Sequence, residues 1–153
     1  MEPILARIPA DGDADAEAVL ELARDGVTAD LLGCLNDRDL IALNRYGARH
    51  AVIALRRGSA ALLRDALLAY AICQAVRAVD DRDVMVGLAV FYVVAGQVGL
   101  VPCDLFAEVA SCLPGGWVAD LLCEFGARQD ITLKAFGWQL VQTPDGPDLV
   151  STL

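Results

Sequence analysis

Few residues in this sequence combine the side-chain types and the spacing that catalysis or metal binding requires. His50 is the only histidine, and one imidazole cannot supply the three or four ligands of a zinc site. General acid–base catalysis by His50 would need a carboxylate within hydrogen-bond reach, and no sequence pattern places one there. We therefore expect no catalytic residue, no metal and no cofactor, and we interpret His50 as a structural or surface residue.

The cysteines are the second set of side chains that could act as nucleophiles or ligands. There are five of them, and no two form a CxxC pair, so the spacing indicates neither a disulfide framework nor a zinc site. Four lie in apolar helical stretches, and Cys103 stands at a predicted helix start beside the opposing charge of Asp104. We expect buried, inert thiols in a reducing compartment. The set is Cys34, Cys73, Cys103, Cys112 and Cys123.

A row of arginines is the clearest candidate for a binding surface. Arg38, Arg45, Arg49 and Arg56 are separated by seven, four and seven residues, which places them within about 20° of one line along an α-helix. Guanidinium groups pair with carboxylates and phosphates, so the row could bind an anion or an acidic partner. Alternatively, the arginines form a solvated strip that pairs with the protein's own acids. Both interpretations remain open.

Large aromatic residues are concentrated in the C-terminal third of the chain. Aromatic side chains close cores when buried and anchor interfaces when exposed. We expect most of this set in the core, and we single out Trp138 as a candidate aromatic contact because the segment that it begins must dock on the rest of the protein. The set is Phe106, Trp117, Phe125, Phe136 and Trp138.

The segments that must position these residues are predicted to be mostly helical. Residues 1–13, with two prolines, a glycine and several acids, are predicted to form a loosely ordered N-terminal arm. Apolar residues at helical spacing predict six to seven helices over residues 14–137. Residues 138–153 alternate polar and apolar side chains around a Pro-Asp-Gly-Pro turn, which predicts a β-hairpin or extended tail packed on the helices.

Two helix starts share one pattern, 44 residues apart. Asn36-Asp37-Arg38-Asp39 and Asp80-Asp81-Arg82-Asp83 each precede an apolar helix. The spacing is that of HEAT-type helical repeats, whereas two independent N-caps would look the same. We therefore expect an all-α fold, a compact array arranged either as an irregular bundle or as a short stack of helix pairs.

The apolar run from Val84 to Val101 has 18 residues, which is the lower limit for a membrane-spanning helix. Acidic residues stand on both sides of the run, and no lysine or arginine cluster is present to set a topology. We therefore expect a buried central helix and no membrane partner.

Charge and composition bound the function. The formal net charge is −9 and 56% of the residues are hydrophobic, values typical of one folded, acidic domain. Residues 1–39 and 80–153 each carry ten acids against three bases, whereas residues 40–79 carry six bases and one acid. Because the long-range field repels polyanions, the chain is not expected to bind nucleic acid or anionic membranes.

These features together predict a non-enzymatic protein-interaction module. We expect a small acidic cytoplasmic adaptor, regulator or antitoxin-like inhibitor whose partner is a basic protein or a second copy of this chain; the N-terminus shows no secretory signal. The sequence favours a non-enzymatic protein without excluding an enzyme. Two alternatives remain open. The first is a helical ligand-binding or enzymatic domain with an arginine-lined anion pocket, and the second is a weak nucleic-acid binder that uses the arginine row.

Overall fold

The computed structural model describes residues 2–77 and 80–153. Within these ranges eight α-helices and a single 3-10 turn precede a two-stranded antiparallel hairpin, which confirms the predicted all-α array with a small C-terminal β-hairpin. The helices are α1 (Ile4–Arg7), α2 (Asp13–Ala23), α3 (Ala29–Cys34), α4 (Asp37–Arg57), α5 (Ala60–Val76), α6 (Asp81–Gln97), α7 (Pro102–Cys112) and α8 (Trp117–Gly126). The 3-10 turn spans Lys134–Phe136, and the strands are β1 (Trp138–Thr143) and β2 (Gly146–Ser151).

The pair α4–α5 forms the centre of the array, and local signals fix both of its ends. Asn36 and Asp39 form a reciprocal capping box at the start of α4, Gly58 ends that helix with a left-handed φ of 62°, and the Ser59 side chain accepts the Leu62 amide to start α5. Each of these contacts satisfies backbone groups that a helix end leaves unpaired. The turn between α4 and α5 is therefore encoded locally, by Gly58 and Ser59.

Glycine allows α4 and α6 to lie close to α5. A Cβ atom at Gly47 would lie 3.1 Å from the Ala66 carbonyl oxygen and from the Tyr70 Cβ atom, and a Cβ atom at Gly87 would lie 2.0 Å from the Tyr70 hydroxyl oxygen. The Tyr70 side chain therefore packs between α4 and α6 only because both helices present glycine to it.

The apolar run that begins at Val84 is a helix of the core. Asp80 caps α6 by accepting the Arg82 amide at 2.8 Å, and α6 ends at Gln97, before Gly99 turns the chain with a φ of 82°. In the described part of the chain no helix combines the length and the hydrophobicity needed to cross a bilayer. The buried residues of α6 join one continuous core with those of α2, α4, α5, α7 and α8.

The N-terminal segment is attached more firmly than the composition suggests. Ile4 is only 2% exposed and packs in the core, and the amides of Ala6 and Arg7 donate to the Pro3 carbonyl oxygen to form α1. The expectation of a loose arm rested on the prolines, the glycine and the acids of residues 1–13, but proline is well tolerated where a helix begins, and Pro3 stands just before α1. Met1, the first residue of that predicted arm, lies outside the described residues.

The C-terminal hairpin packs on α1 and α4. Trp138 pairs with Ser151 and Thr143 pairs with Gly146 at the two ends of the ladder, and Gly146 adopts a φ of 123° after the Pro144-Asp145 turn. Strand β2 lies on the inside, against α1 and α4, with three consecutive buried residues. A two-stranded hairpin alone is marginally stable, so these contacts with the helices are what hold it.

Candidate functional site

The arginine row of α4 lies on the side of this helix that receives α2. Arg49 Nη1 donates to an Asp13 carboxylate oxygen at 2.8 Å, and Arg38 Nε donates to an Asp15 carboxylate oxygen at 3.0 Å. The Arg49 side chain is 15% exposed and the Arg38 side chain is 83% exposed. Because screening by water weakens exposed pairs, the Asp13–Arg49 pair is the stronger of these two contacts, and it adds to the core packing of the buried residues of α2.

The last arginine of the row holds the hairpin. Arg56 donates to the Pro147 carbonyl oxygen at 2.8 Å and to Thr143 Oγ1 at 3.1 Å, and its Nη2 atom lies 3.5 Å from the Asp148 carboxylate. Asp148 is 2% exposed and also accepts the Leu5 amide at 3.4 Å. Arg56 therefore connects α4, the hairpin and the start of α1 through one buried carboxylate.

Arg45 differs from the other three arginines. It has no ion-pair partner in residues 2–77 and 80–153, and it lines an open groove of about 390 Å³ beside Ile41, which is 48% exposed. An anion in this groove would also meet the carboxylates of Asp11 and Asp15. The row is thus divided: three arginines pair with the protein's own acids, as the second interpretation of the sequence has it, and Arg45 alone keeps its charge available.

His50 stacks on a neighbouring ring. Its imidazole lies 3.7 Å from the Tyr46 ring, centroid to centroid, at an interplanar angle of 14°, and its Nδ1 atom is 3.0 Å from the Tyr46 carbonyl oxygen. Burial lowers the pKa of His50, although its hydrogen bond to that carbonyl opposes the effect. Burial, with Asp65 and Glu17 nearby, raises the pKa of Tyr46 to about 12. At neutral pH both rings are therefore uncharged.

The prediction of buried cysteines is wrong for three of the five. Cys73 is buried and its thiol contacts the Leu40 carbonyl oxygen at 3.3 Å, whereas Cys34, Cys103 and Cys123 are exposed and Cys112 is half-buried. The apolar character of these stretches predicted helices, but it did not show which face of each helix is exposed. Helix α3, for example, has no buried residue. Burial raises the pKa of the Cys73 thiol.

Trp138 is half-buried and fixed in place rather than free on the surface. Its Nε1 atom donates to the Val86 carbonyl oxygen at 2.7 Å and so joins β1 to α6. The more exposed indole is that of Trp117, at 39%. Phe106 and Phe125 stack in the core at a centroid distance of 5.8 Å, and the half-buried Phe136 meets Phe125 edge to face at 5.6 Å.

The outward face of α2 is a surface that the sequence interpretation missed. Its buried side faces the core, and its outer side presents two rows with a spacing of four residues. Ala14, Ala18 and Leu22 form an exposed apolar row, with Leu22 at 68% exposure. Glu17 and Glu21 form an exposed acidic row beside it. We call this surface the outer α2 face; the recurrence at every fourth position is the signal that could have identified it.

The two sides of α2 use their carboxylates differently. Asp13 and Asp15 pair with arginines of α4, whereas Glu17 and Glu21 form no ion pair within the described ranges. Those ranges also hold no group of three or more histidine, cysteine, aspartate or glutamate side chains arranged to bind a metal ion. The inner acids therefore position α2, and the outer acids are available to a partner.

Comparison of the chain with protein-family models, with curated proteins and with solved structures found no match.

Proposed function

We propose that this chain is a non-enzymatic protein-interaction module that acts in the cytoplasm as an adaptor or inhibitor and binds a basic protein through its outer α2 face. The observation that carries the proposal is Leu22, a large apolar side chain left 68% exposed beside the unpaired carboxylates of Glu17 and Glu21. An exposed apolar side chain within a charged rim has the arrangement of a protein interface.

The energetics of such an interface follow from its two rows. Burying Leu22 against a partner contributes about 1.5–3 kcal/mol, and Ala14 and Ala18 let the partner backbone approach closely. Glu17 and Glu21 contribute mainly specificity and association rate, since complementary charges steer encounter and exclude like-charged partners. The net charge of −9 extends the same attraction to longer range.

The partner that fits this face presents lysine or arginine side chains beside an apolar row. A second helix satisfies this requirement, because rows with a spacing of four residues interdigitate when two helices pack. Since the buried residues of α2 and the Asp13–Arg49 pair already hold this helix on the protein, the face is preorganised and loses little conformational freedom on binding.

The experiment is affinity capture of a basic protein from the native cytoplasm by the tagged chain, followed by measurement of the affinity for the purified partner. The test variant is Glu17→Gln/Glu21→Gln. Its matched control is Asp120→Asn/Glu124→Gln, which removes two exposed acids of the same spacing and the same total charge from α8. We expect the control to bind like the wild type and the test variant to bind about tenfold more weakly.

A separate variant, Leu22→Ser, tests the apolar row at constant charge, and we expect it to weaken binding at every salt concentration. The charge contribution, by contrast, should diminish as salt is added. Equal losses in the α2 variant and the α8 control, an acidic captured protein, or the absence of any stoichiometric partner would each overturn the proposal.

The arginine row is tested in the same experiment by Arg45→Glu alone. Arg49 and Arg56 are unsuitable for this test because they hold α2 and the hairpin, so their replacement would perturb the fold. If Arg45→Glu abolished capture while Glu17→Gln/Glu21→Gln did not, the partner would bind the groove beside Ile41, and the outer α2 face would be the wrong surface.

A further inference from the structure

A cleft of about 250 Å³ lies between α1, α4, α5, α6 and β1. Its walls include core residues, among them Ala51, Val90 and Phe91, which are 0%, 4% and 2% exposed. This volume is below the range of about 300–1,000 Å³ that is typical of drug-sized ligands. The cleft therefore has the size for a small molecule and not for a protein segment.

Fixed aromatic groups form two of its walls. The Trp138 indole is held by its hydrogen bond to the Val86 carbonyl oxygen, and Tyr70 occupies the space that Gly87 leaves on α6. The Tyr70 hydroxyl makes only a long hydrogen bond of 3.5 Å, to the Val84 carbonyl oxygen. It can therefore form a shorter bond with a molecule in the cleft.

Three polar side chains from three different helices also line the cleft. They are Arg7 of α1, Asn44 of α4 and Asp83 of α6. Arg7 and Asp83 form no ion pair, with each other or with any other residue in the described part of the chain. An apolar cavity with a few polar groups around it is the usual form of a small-molecule site.

The chemistry of these groups defines the ligand. A guanidinium binds a carboxylate, a carboxylate binds an ammonium group, an asparagine amide can both donate and accept, and the apolar walls bind a hydrocarbon side chain. A free α-amino acid with a large apolar side chain carries all three features within one small molecule. We propose that this cleft binds such an amino acid, with its carboxylate at Arg7, its ammonium group at Asp83 and its side chain beside Phe91 and Trp138. This binding would be independent of the outer α2 face.

The test uses the fluorescence of Trp138 in the full chain. The sequence has two tryptophans, so Trp117→Phe leaves Trp138 as the only reporter. We would titrate this variant with L-phenylalanine and compare three probes: 3-phenylpropionate, which has no ammonium group, phenethylamine, which has no carboxylate, and glycine, which has no apolar side chain. We expect saturable binding of L-phenylalanine and affinities at least about tenfold weaker for each comparison probe.

Variants of the same chain assign each group. Arg7→Gln should weaken the binding of L-phenylalanine about tenfold and leave the affinity for phenethylamine unchanged. Asp83→Asn should also weaken the binding of L-phenylalanine about tenfold and leave the affinity for 3-phenylpropionate unchanged. Ala48→Leu, which fills the cleft, should abolish binding, whereas Ala61→Leu at an exposed position of α5 should not. Thermal melts monitored by circular dichroism establish that each variant is folded.

Three results would overturn the proposal. The first is the absence of a saturable change with L-phenylalanine in the folded Trp117→Phe protein. The second is equal affinity for L-phenylalanine, 3-phenylpropionate and phenethylamine, which would show only unselective apolar binding. The third is unchanged L-phenylalanine binding in both Arg7→Gln and Asp83→Asn.

Discussion

Arg56 of α4 and Asp148 of β2 form an ion pair of 3.5 Å across 92 residues of sequence, and the Asp148 side chain is 2% exposed. The same guanidinium holds the hairpin through Pro147 and Thr143, and the same carboxylate accepts the Leu5 amide. Removing one partner of a buried pair leaves the other charge uncompensated, so this relationship makes the stability of three separate segments depend on two side chains.

Replacement of Arg56 should therefore destabilise the whole fold. We expect Arg56→Met to lower the free energy of unfolding by about 3 kcal/mol, the low end of the range for buried pairs, since Asp148 retains hydrogen bonds from the Leu5 and Leu149 amides. Urea denaturation would measure the change. Arg57→Met, at the adjacent exposed position, is the control and should change stability by less than about 0.5 kcal/mol; similar losses in both variants would contradict a specific role for Arg56.

Two glycines of α6 should respond to the same substitution in opposite directions. Gly87→Ala would place a Cβ atom 2.0 Å from the Tyr70 hydroxyl oxygen, and such overpacking costs about 1–3 kcal/mol. Gly96→Ala meets no atom within 4 Å and should stabilise the helix by about 0.5–1 kcal/mol. Thermal unfolding followed by circular dichroism would measure both, and a Gly87→Ala protein as stable as Gly96→Ala would refute the close packing of Tyr70.

His50 should make the fold less stable in mild acid. Burial lowers its pKa from 6.5 in the folded protein, so the unfolded chain binds the proton more readily and the free energy of unfolding falls as pH decreases through about 6.5. We would measure urea denaturation of the wild type and of His50→Gln between about pH 8 and pH 5. The free energy of unfolding of the wild type minus that of His50→Gln should decrease toward acid pH. A value of this difference that is independent of pH would contradict the lowered pKa.

The thiols should react in classes that follow their exposure. An aromatic disulfide reagent should modify Cys34, Cys103 and Cys123 in the native protein, Cys112 more slowly, and Cys73 only on unfolding, because Cys73 is buried and burial raises its pKa. Mass spectrometry after timed quenching would identify the sites. Modification of Cys73 in native buffer at the rate of the exposed thiols would contradict the burial of Cys73.

Features of the fold that depend on neighbouring residues were predictable from the sequence. Asn36, Ser59 and Asp80 each accept a backbone amide at a helix start, and the Pro144-Asp145 turn joins the strands of the hairpin, because caps and turns are determined within a few residues. The pattern that recurs 44 residues apart, at Asn36 and Asp80, marks two such caps.

Features that depend on distant residues were not predictable in this way. The alignment of Arg38, Arg49 and Arg56 on one line was evident from their spacing, but their partners Asp13, Asp15 and Asp148 lie 23 to 92 residues away. The helical period likewise did not show which face of α3 or α8 points outward, and so Cys34 and Cys123 were wrongly expected to be buried. The cleft beside Trp138 forms where five elements meet, and no local pattern encodes their arrangement.

The hydrogen bond from the Leu5 amide to Asp148 joins residues 143 positions apart, and this separation has a consequence for the order of assembly during translation. While the ribosome is still adding the C-terminal strand, Ile4 has no completed site to enter, whereas α4 and α5 can already pair across their short turn. Loop-closure entropy makes such distant contacts form late. A nascent chain stalled before residue 148 should therefore hold the α4–α5 helical hairpin without a docked α1, so a segment that is synthesised before the hairpin would pack after it.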